Sequence, residues 1–531
     1  MRPRASTIAL STLLVTLAAS AWTSPVASAE RRARRAQRAS AATEAPPPAE
    51  DSPSTAVTLA AVIDLAVQQS PGLRRARLLR AAAREDSTAA ELEQEWVAAS
   101  ELGWRRQNVD RPDPEPVQLL EELTVDGQLS LAKRLPSGGA LTLTAAMSRR
   151  EQAFDVSQIL PQGGQVDAGR EVAENSAARA GISLSQPLLR GLTTAGLENA
   201  RKAKAQSSSA MFGAQLAAEE ALRDIVVAYW ELAYATQAMT VAEKSFALGK
   251  KQLEQTAEGR RAGLVASNAV KAVEYQLAVR EEALLRAKVE LRGRSMELRR
   301  LIALDVEGEA DVVLPTESFQ LDARTFDLPE LLARSLERNP ELSQLVADKK
   351  VAELDVASAR DRHKPQVDLT LDAALIGNGE NVGNALGEIG SGNTYEIGVR
   401  LALQYELGGA RSAAVRGAEK RRSAVVVSAA ERAHRIRTEV MVVHDAVVAA
   451  RQRVGLAQKA IALANETLDA EQANFLAGRS TTYSVLDRQA EVVDSERALA
   501  RAVADYHQTV ARLDTLTGDL LEHHGVELIA Q

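Results

Sequence analysis

The sequence predicts an internally duplicated α+β chain in which two long antiparallel helical hairpins each follow a group of strands. Three observations predict it. The stretch from Ala410 to Phe475 contains no proline, and from Ile436 its apolar residues recur at alternating steps of four and three: Ile436, Val440, Val443, Val447, Ala450, Val454, Ala457, Ile461, Ala464 and Leu468. A helix of that length spans about 100 Å, and a 3.5-residue stripe is buried only against partner helices in a supercoil. Second, motifs return at nearly constant spacing. Gln186-Pro187-Leu188-Leu189-Arg190-Gly191 corresponds to Gln404-Tyr405-Glu406-Leu407-Gly408-Gly409, 218 positions on, and Ala262-Gly263-Leu264 to Ala477-Gly478-Arg479, 215 positions on. Third, short alternating segments, which read as strands, lie ahead of each long helix.

Composition narrows the function classes. The 531 residues are 45% hydrophobic and 25% charged, with 64 Lys and Arg against 71 Asp and Glu, so no basic surplus points to nucleic acid. Cysteine is absent, which excludes disulfides, thiolate chemistry and a lipid-modified N-terminal Cys. Six scattered histidines assemble no nucleophile, base and orienting group, so the chain is read as no enzyme and without cofactor or metal. Glu522-His523-His524 reads as an inert tail rather than a metal site.

The elements follow in order. Arg2 and Arg4, the apolar run Ile8 to Trp22 and Ala27-Ser28-Ala29 form a secretory signal, residues 1–29. Residues 30–55, with Arg31, Arg32, Arg34, Arg35 and Pro46-Pro47-Pro48, read as a disordered linker. The first repeat, 56–303, opens with a helix broken at Ser70-Pro71, where Ser can cap and Pro can take the first helical position. Four strands follow: a weak one around Gly103 and Trp104, a hairpin 128–131 with 140–144 about Pro136-Ser137-Gly138-Gly139, and 182–185. The outgoing helix carries Leu222, Ile225, Tyr229 and Leu232; the return carries Val270, Leu277, Leu284, Leu291 and Leu298 at sevens. Residues 304–326 are a connector. The second repeat, 327–518, breaks at Asn339-Pro340 and has strands at 367–371 and 397–401 around an exposed loop from Gly377 to Asn393. Its return helix is striped by Leu499, Val503, Tyr506, Val510 and Leu513, and 519–531 reads as a frayed tail.

On the duplication, the strand end 186–191, Ala228-Tyr229-Trp230-Glu231-Leu232 and the two Ala-Gly tips, the chain resembles the TolC family of outer-membrane efflux proteins over about 57–518. The resemblance implies an α+β membrane protein: a helical barrel of antiparallel coiled coils forming a periplasmic tunnel, joined to a transmembrane β-barrel shared by a homotrimer. It implies a passive exit duct in the outer membrane, coupled through a periplasmic adaptor, or membrane fusion protein, to an inner-membrane pump or ABC transporter. Lipid independently demands closed barrels or helices, and two to four strands close no barrel alone. The family pattern has two strands per half, so the hairpin near 127–147 either widens the barrel or sits at its mouth. The rival reading is a periplasmic coiled-coil scaffold or adaptor without a pore, which two matching helix–strand–helix halves disfavour.

The tips carry Gly263 and Gly478 ahead of Ser267 and Thr481, which can cap the returning helices. The family implies that such tips meet the adaptor, so Gly263, Leu264, Gly478 and Arg479 are docking candidates. The family also places an aspartate pair at the periplasmic constriction. Matching from Gly478 puts Ser484 and Asp487 there, with Asn268 as a polar neighbour, so only one carboxylate of the pair is kept. Asp487, Glu491 and Asp494 fall at i, i+4 and i+7 on one helix face. Stacked acidic rings in a trimer would attract cations.

Overall fold

The computed structural model describes residues 55–108, 117–159, 165–192, 195–263, 266–304, 313–316, 321 and 324–528. The expected signal at 1–29, nearly all of the linker at 30–55 and much of the connector lie outside the described residues.

Each half begins with a helix pair broken at proline. Helices α1 (Leu59–Gln69) and α2 (Pro71–Leu92) correspond to α5 (Leu328–Arg338) and α6 (Pro340–His363). Proline at the first position loses no helical bond, because that N–H has no intrahelical partner. Asn339 caps as expected: its Oδ1 accepts from the Glu341 and Leu342 amides at 3.0 and 3.1 Å. Ser70 does not. It is buried and makes no side-chain cap, so proline alone starts α2.

The long hairpins are α3 (Ala195–Arg261) with α4 (Ser267–Leu301), and α8 (Ala410–Leu476) with α9 (Thr482–Thr517). Helices α3 and α8 both have 67 residues, about 100 Å each, so the duplication extends to helix length. The expected stripes are buried: Leu222, Ile225, Tyr229 and Leu232 on α3, Ile436 to Val454 on α8, Val503, Tyr506 and Leu513 on α9. They meet in one core with α1, α2 and α5. A second heptad lies uncovered on the other side of the coils. Val442, Leu456 and Leu463 on α8 and Tyr275, Val289 and Met296 on α4 keep steps that are multiples of seven and are all exposed.

Six strands form one antiparallel sheet. In order they are β2 (Val97–Asn108), β3 (Val117–Arg134), β4 (Ala140–Ile159), β5 (Gln165–Pro187), β7 (Gln366–Gly379) and β8 (Tyr395–Gln404). The β3–β4 hairpin is therefore part of the sheet, and all four first-half strands run far beyond the short alternating cores visible in the sequence. Its turn is closed by Leu135 N–H donating to Gly139 O at 2.8 Å, with Gly138 at φ +84° and the Ser137 hydroxyl 2.7 Å from Gln186 Oε1. A separate parallel pair joins β1 (Thr55–Val57) to β6 (Val313–Pro315), tying the segment ahead of α1 to the connector.

The sheet has two chemical faces. Residues directly opposite across a ladder share a face. One face carries Leu129, Leu143, Ile182, Leu371 and Val399 along with Trp104 and Tyr395; the other carries Asp126, Thr144, Ser183, Asp372 and Arg400. On β8 the apolar members Tyr395, Ile397, Val399, Leu401 and Leu403 are all exposed. The span from Tyr395 to Leu403 is about 27 Å along the strand. No helix among the described residues is long and apolar enough to cross a membrane.

Two expectations are corrected. The segment Gly377 to Asn393 is not all loop: β7 runs to Gly379, and a helix, α7 (Val382–Ser391), folds back onto it. A Cβ at Gly377 would lie 1.9 Å from the Ala385 carbonyl oxygen, so only glycine admits this contact. Ala178, paired with Gly377 on β5, is buried, and α7 packs on that strand too. The tail does not fray either as far as Leu528, where the described residues end. Gly518 at φ +74° turns the chain, and the short helix α10 (Leu520–His523) seats Leu520, Leu521, Val526 and Leu528 in the core. Arg334 and Arg338 on α5 reach Asp519 at 3.1 and 3.3 Å, and Arg324 grips Asp514 through two bonds of 2.8 and 2.9 Å.

Glu219 of α3 lies fully buried under this tail. Among the described residues neither carboxyl oxygen has a partner in hydrogen-bond geometry. Burial pushes its carboxyl up to about 8; the Asp519 and Asp514 charges add to the rise, and the nearby Leu520 and Leu521 amides oppose it. His524 is moved the other way, to about 4, chiefly by burial and then by His523.

Candidate functional site

The helix tips are built by local backbone chemistry. At the end of α8 the Arg479 amide donates to Asn474 O at 2.9 Å and the Gly478 amide to Phe475 O at 3.0 Å, with Gly478 at φ +70°. This is the six-residue closure that ends many helices at glycine. Thr481 then caps α9, its Oγ1 accepting from the Ser484 amide at 3.2 Å, and the Ser480 hydroxyl bonds to Glu471. Gly263 makes the same left-handed turn at φ +73° after α3. The expected cap at Ser267 is absent: Ala266 holds the N-cap position with no side-chain bond, and Ser267 is the first helical residue. Leu264 lies outside the described residues. Gly478 and Arg479 are exposed, and beside them Leu476 is 86% and Tyr483 72% exposed, apolar tip residues that the periodicity did not single out.

Just inside the second tip, Asp487, Glu491 and Asp494 share an exposed face of α9, opposite buried Val485 and Leu486. Arg488 joins two of them, 2.5 Å from Glu491 and 3.4 Å from Asp487. The face therefore carries three carboxylates and one guanidinium. Asn268 is exposed on the first turn of α4, and Ser484 is half-buried with its hydroxyl 3.0 Å from that of Thr481. Among the described residues no hydrogen bond or ion pair joins Asn268, Ser484 or the tip residues to the α9 carboxylates, two of which pair with Arg488. Sequence reasoning missed Arg280 of α4, which donates to Ser245 O on α3 and to Gln489 on α9, both at 3.0 Å, and so links the two hairpins. Burial lowers its pKa, and Gly249 leaves the space it occupies, since a Cβ there would stand 3.1 Å from Arg280 Cδ. A glycine inside a long helix facing an arginine was the available signal.

Long paired coils continuous with a sheet that is apolar on one face and polar on the other are a fold shared with solved outer-membrane channels. Solved structures of that class superpose over most of the chain. The CusC channel matches with a TM-score of 0.64 at 12% identity, covering 90% of this chain and 99% of that one. The Campylobacter jejuni CmeC outer membrane channel matches at 0.63 and 14%, covering 88% and 86%. The open state of the Neisseria gonorrhoeae MtrE outer membrane channel matches at 0.62 and 15%, covering 90% and 99%. At these identities the likeness is one of fold. Residues 331–519 match the family described as outer membrane efflux protein. A curated relative, the nickel-cobalt-cadmium resistance protein NccC of Alcaligenes xylosoxydans xylosoxydans, is 31% identical over 223 residues. That match covers 41% of this chain and spans about half, 48%, of NccC.

Proposed function

We propose that this protein is the outer-membrane exit duct of a tripartite efflux pump or type I secretion system. It sits in the outer membrane with its helical tunnel in the periplasm and passively passes cargo delivered by an inner-membrane pump or ABC transporter through a periplasmic adaptor. The observation that carries the reading is the continuity of two 67-residue helices with a sheet whose outward residues are apolar. Among the described residues a single chain leaves both sheet edges unpaired and a heptad stripe uncovered on α4 and α8, and exposed stripes of this period call for further helices. A homotrimer, with strands shared in one barrel, supplies both partners. The tips at Gly263, Leu264, Gly478 and Arg479 meet the adaptor, with Leu476 and Tyr483 as its apolar contacts.

Asp487, Glu491 and Asp494, with Ser484 and Asn268 beside them, line the periplasmic mouth and favour cations. Arg488 moderates that charge. The relative NccC is named for nickel, cobalt and cadmium resistance, and divalent metal cations are the cargo class such a mouth suits. Heat-modifiable trimers in an outer-membrane fraction and ion conductance in a planar bilayer test the duct. A soluble monomer that conducts nothing refutes it. Single-channel recording on Asp487→Asn tests the mouth: unchanged cation preference and divalent block reject the role of the carboxylates.

A further inference from the structure

Resting on the duct reading, we infer that the free edges β2 and β8 of neighbouring copies pair in one register, Gln404 opposite Val97, and close an eighteen-stranded barrel. The occupant of each edge is a second copy of this chain. Six strands is an even number, so β2 leaves the helical end and β8 returns to it, and the two edges of adjacent copies run antiparallel. Val97 and Gln404 are the residues at which these strands meet the helical end, so pairing them keeps that rim level.

Charge selects the same register. With Gln404 opposite Val97, Arg400 of one copy faces Glu101 of the next, and Glu396 faces Arg105, all on the polar face of the sheet. Within the chain Glu101, Arg105 and Arg400 make no ion pair among the described residues, whereas Glu396 already holds Arg179 at 2.6 Å and keeps a second oxygen for Arg105. Between those two pairs Gly398 meets Gly103, and on the lipid face Ile397 meets Trp104. A slip of two residues places Arg400 opposite Gly103 or Ala99 and loses both ion pairs. A slip of one turns the apolar face inward.

Barrel geometry agrees. Following the ladder partners across the sheet from Val97 leads through Ala132, Thr142, Ser183 and Asp372 to Gly398. In the inferred register Gly398 faces Gly103 of the next copy, six positions above Val97. Three copies accumulate a shear of about eighteen over eighteen strands, and equal shear and strand number give a tilt of about 36°, inside the usual range. At that tilt the backbone cylinder is about 34 Å across, against about 23 Å for twelve strands. The β3–β4 hairpin thus widens the pore instead of capping its mouth.

The cysteine-free chain allows a direct test in the full-length protein. Ala99→Cys with Ala402→Cys places the two thiols directly opposite across the seam, where Cβ atoms lie about 5 Å apart. Oxidised outer-membrane fractions are expected to yield covalent dimers and trimers and nothing larger. Ala99→Cys with Gln404→Cys, a two-residue slip at about 7 Å or more, is expected to give roughly ten-fold less. Arg400→Glu is expected to lower the temperature at which trimers dissociate, and adding Glu101→Arg to restore it. Preferential linkage of the slipped pair overturns the register. Conducting trimers that neither pair links overturn the seam while leaving the duct standing, and a soluble monomer overturns both.

Discussion

Replacing Glu219 by Gln should flatten the dependence of stability on pH above pH 6.5. In the unfolded chain this carboxyl titrates near 4.5, whereas burial in the fold lifts it to about 8. Between those values the folded chain binds more protons than the unfolded one, so stability falls as pH rises. Each pH unit of such a gap is worth about 1.4 kcal/mol. From pH 6.5 to 8, allowing for the folded group beginning to ionise, the wild type should lose about 1.6 kcal/mol through this residue. The window is chosen with His524 in mind. Its folded value of about 4 lies below the ordinary 6.5, so its contribution changes as pH falls through that interval and destabilises in the acid direction. Below pH 6.5 the two residues therefore oppose each other; above it Glu219 acts with little interference from His524. Gln cannot ionise, so Glu219→Gln retains the shape and removes the slope. Denaturant titrations in detergent at one protein concentration, at pH 6.5 and 8, give the difference between wild type and variant. Equal pH dependence in the two proteins would refute the buried neutral carboxyl. A variant merely less stable at both pH values would not, because the amide brings its own unsatisfied N–H groups.

Other perturbations separate packing from backbone strain. Gly518 and Gly478 have φ of +74° and +70°, but a Cβ at Gly518 would lie 2.7 Å from Arg338 O, while nothing lies within 4 Å of one at Gly478. Gly478→Ala should cost about 1 kcal/mol of left-handed strain and Gly518→Ala about 3 kcal/mol or more, with protease cutting of the C-terminal tail appearing only in the latter. Gly377→Val should lift α7 from β7 and expose 380–393 to proteolysis while leaving the far-UV helical signal nearly intact, because the clash is with a ten-residue helix. Arg280→Ala should loosen the contact between hairpins and raise the single-channel open probability. An unchanged open probability would assign Arg280 to packing alone.

Long-period signals made most of the helical fold legible. A 3.5-residue stripe sustained from Ile436 to Leu468 has few interpretations, and the repeated spacing of Gly263 and Gly478 located both tips and, through them, two helices of equal length. Strands were legible only where their alternation is clean. Above the apolar band the face of β4 and β5 that is apolar lower down carries Arg149, Glu151 and Glu174, so the pattern stops while the ladder continues. The α7 helix and the seated tail were hidden for a different reason. Both depend on single close approaches, at Gly377 and Gly518, and a glycine in sequence does not say which distant backbone it admits. Glu219 likewise reads as an ordinary surface position of a long helix, and only α10 folding over it makes it a buried acid.

The candidate site was legible as a spacing but not as a charge balance. Asp487, Glu491 and Asp494 share a face because of helical geometry alone, and that much follows from counting. Arg488, one position from Asp487, points by that same count to a neighbouring face. Its long side chain nevertheless reaches back to two of the three carboxylates, so the face is less acidic than its residue list. The sheet edges reverse this relation. There the ladder partners fix which side chains share a level, and two charges on β8 fall at the same four-residue step as two opposite charges on β2. A helix face can be altered by any neighbouring side chain long enough to fold onto it. A strand edge admits only registers that preserve the pleat, so complementary charges at matching steps identify a partner more narrowly than a run of like charges identifies a cargo.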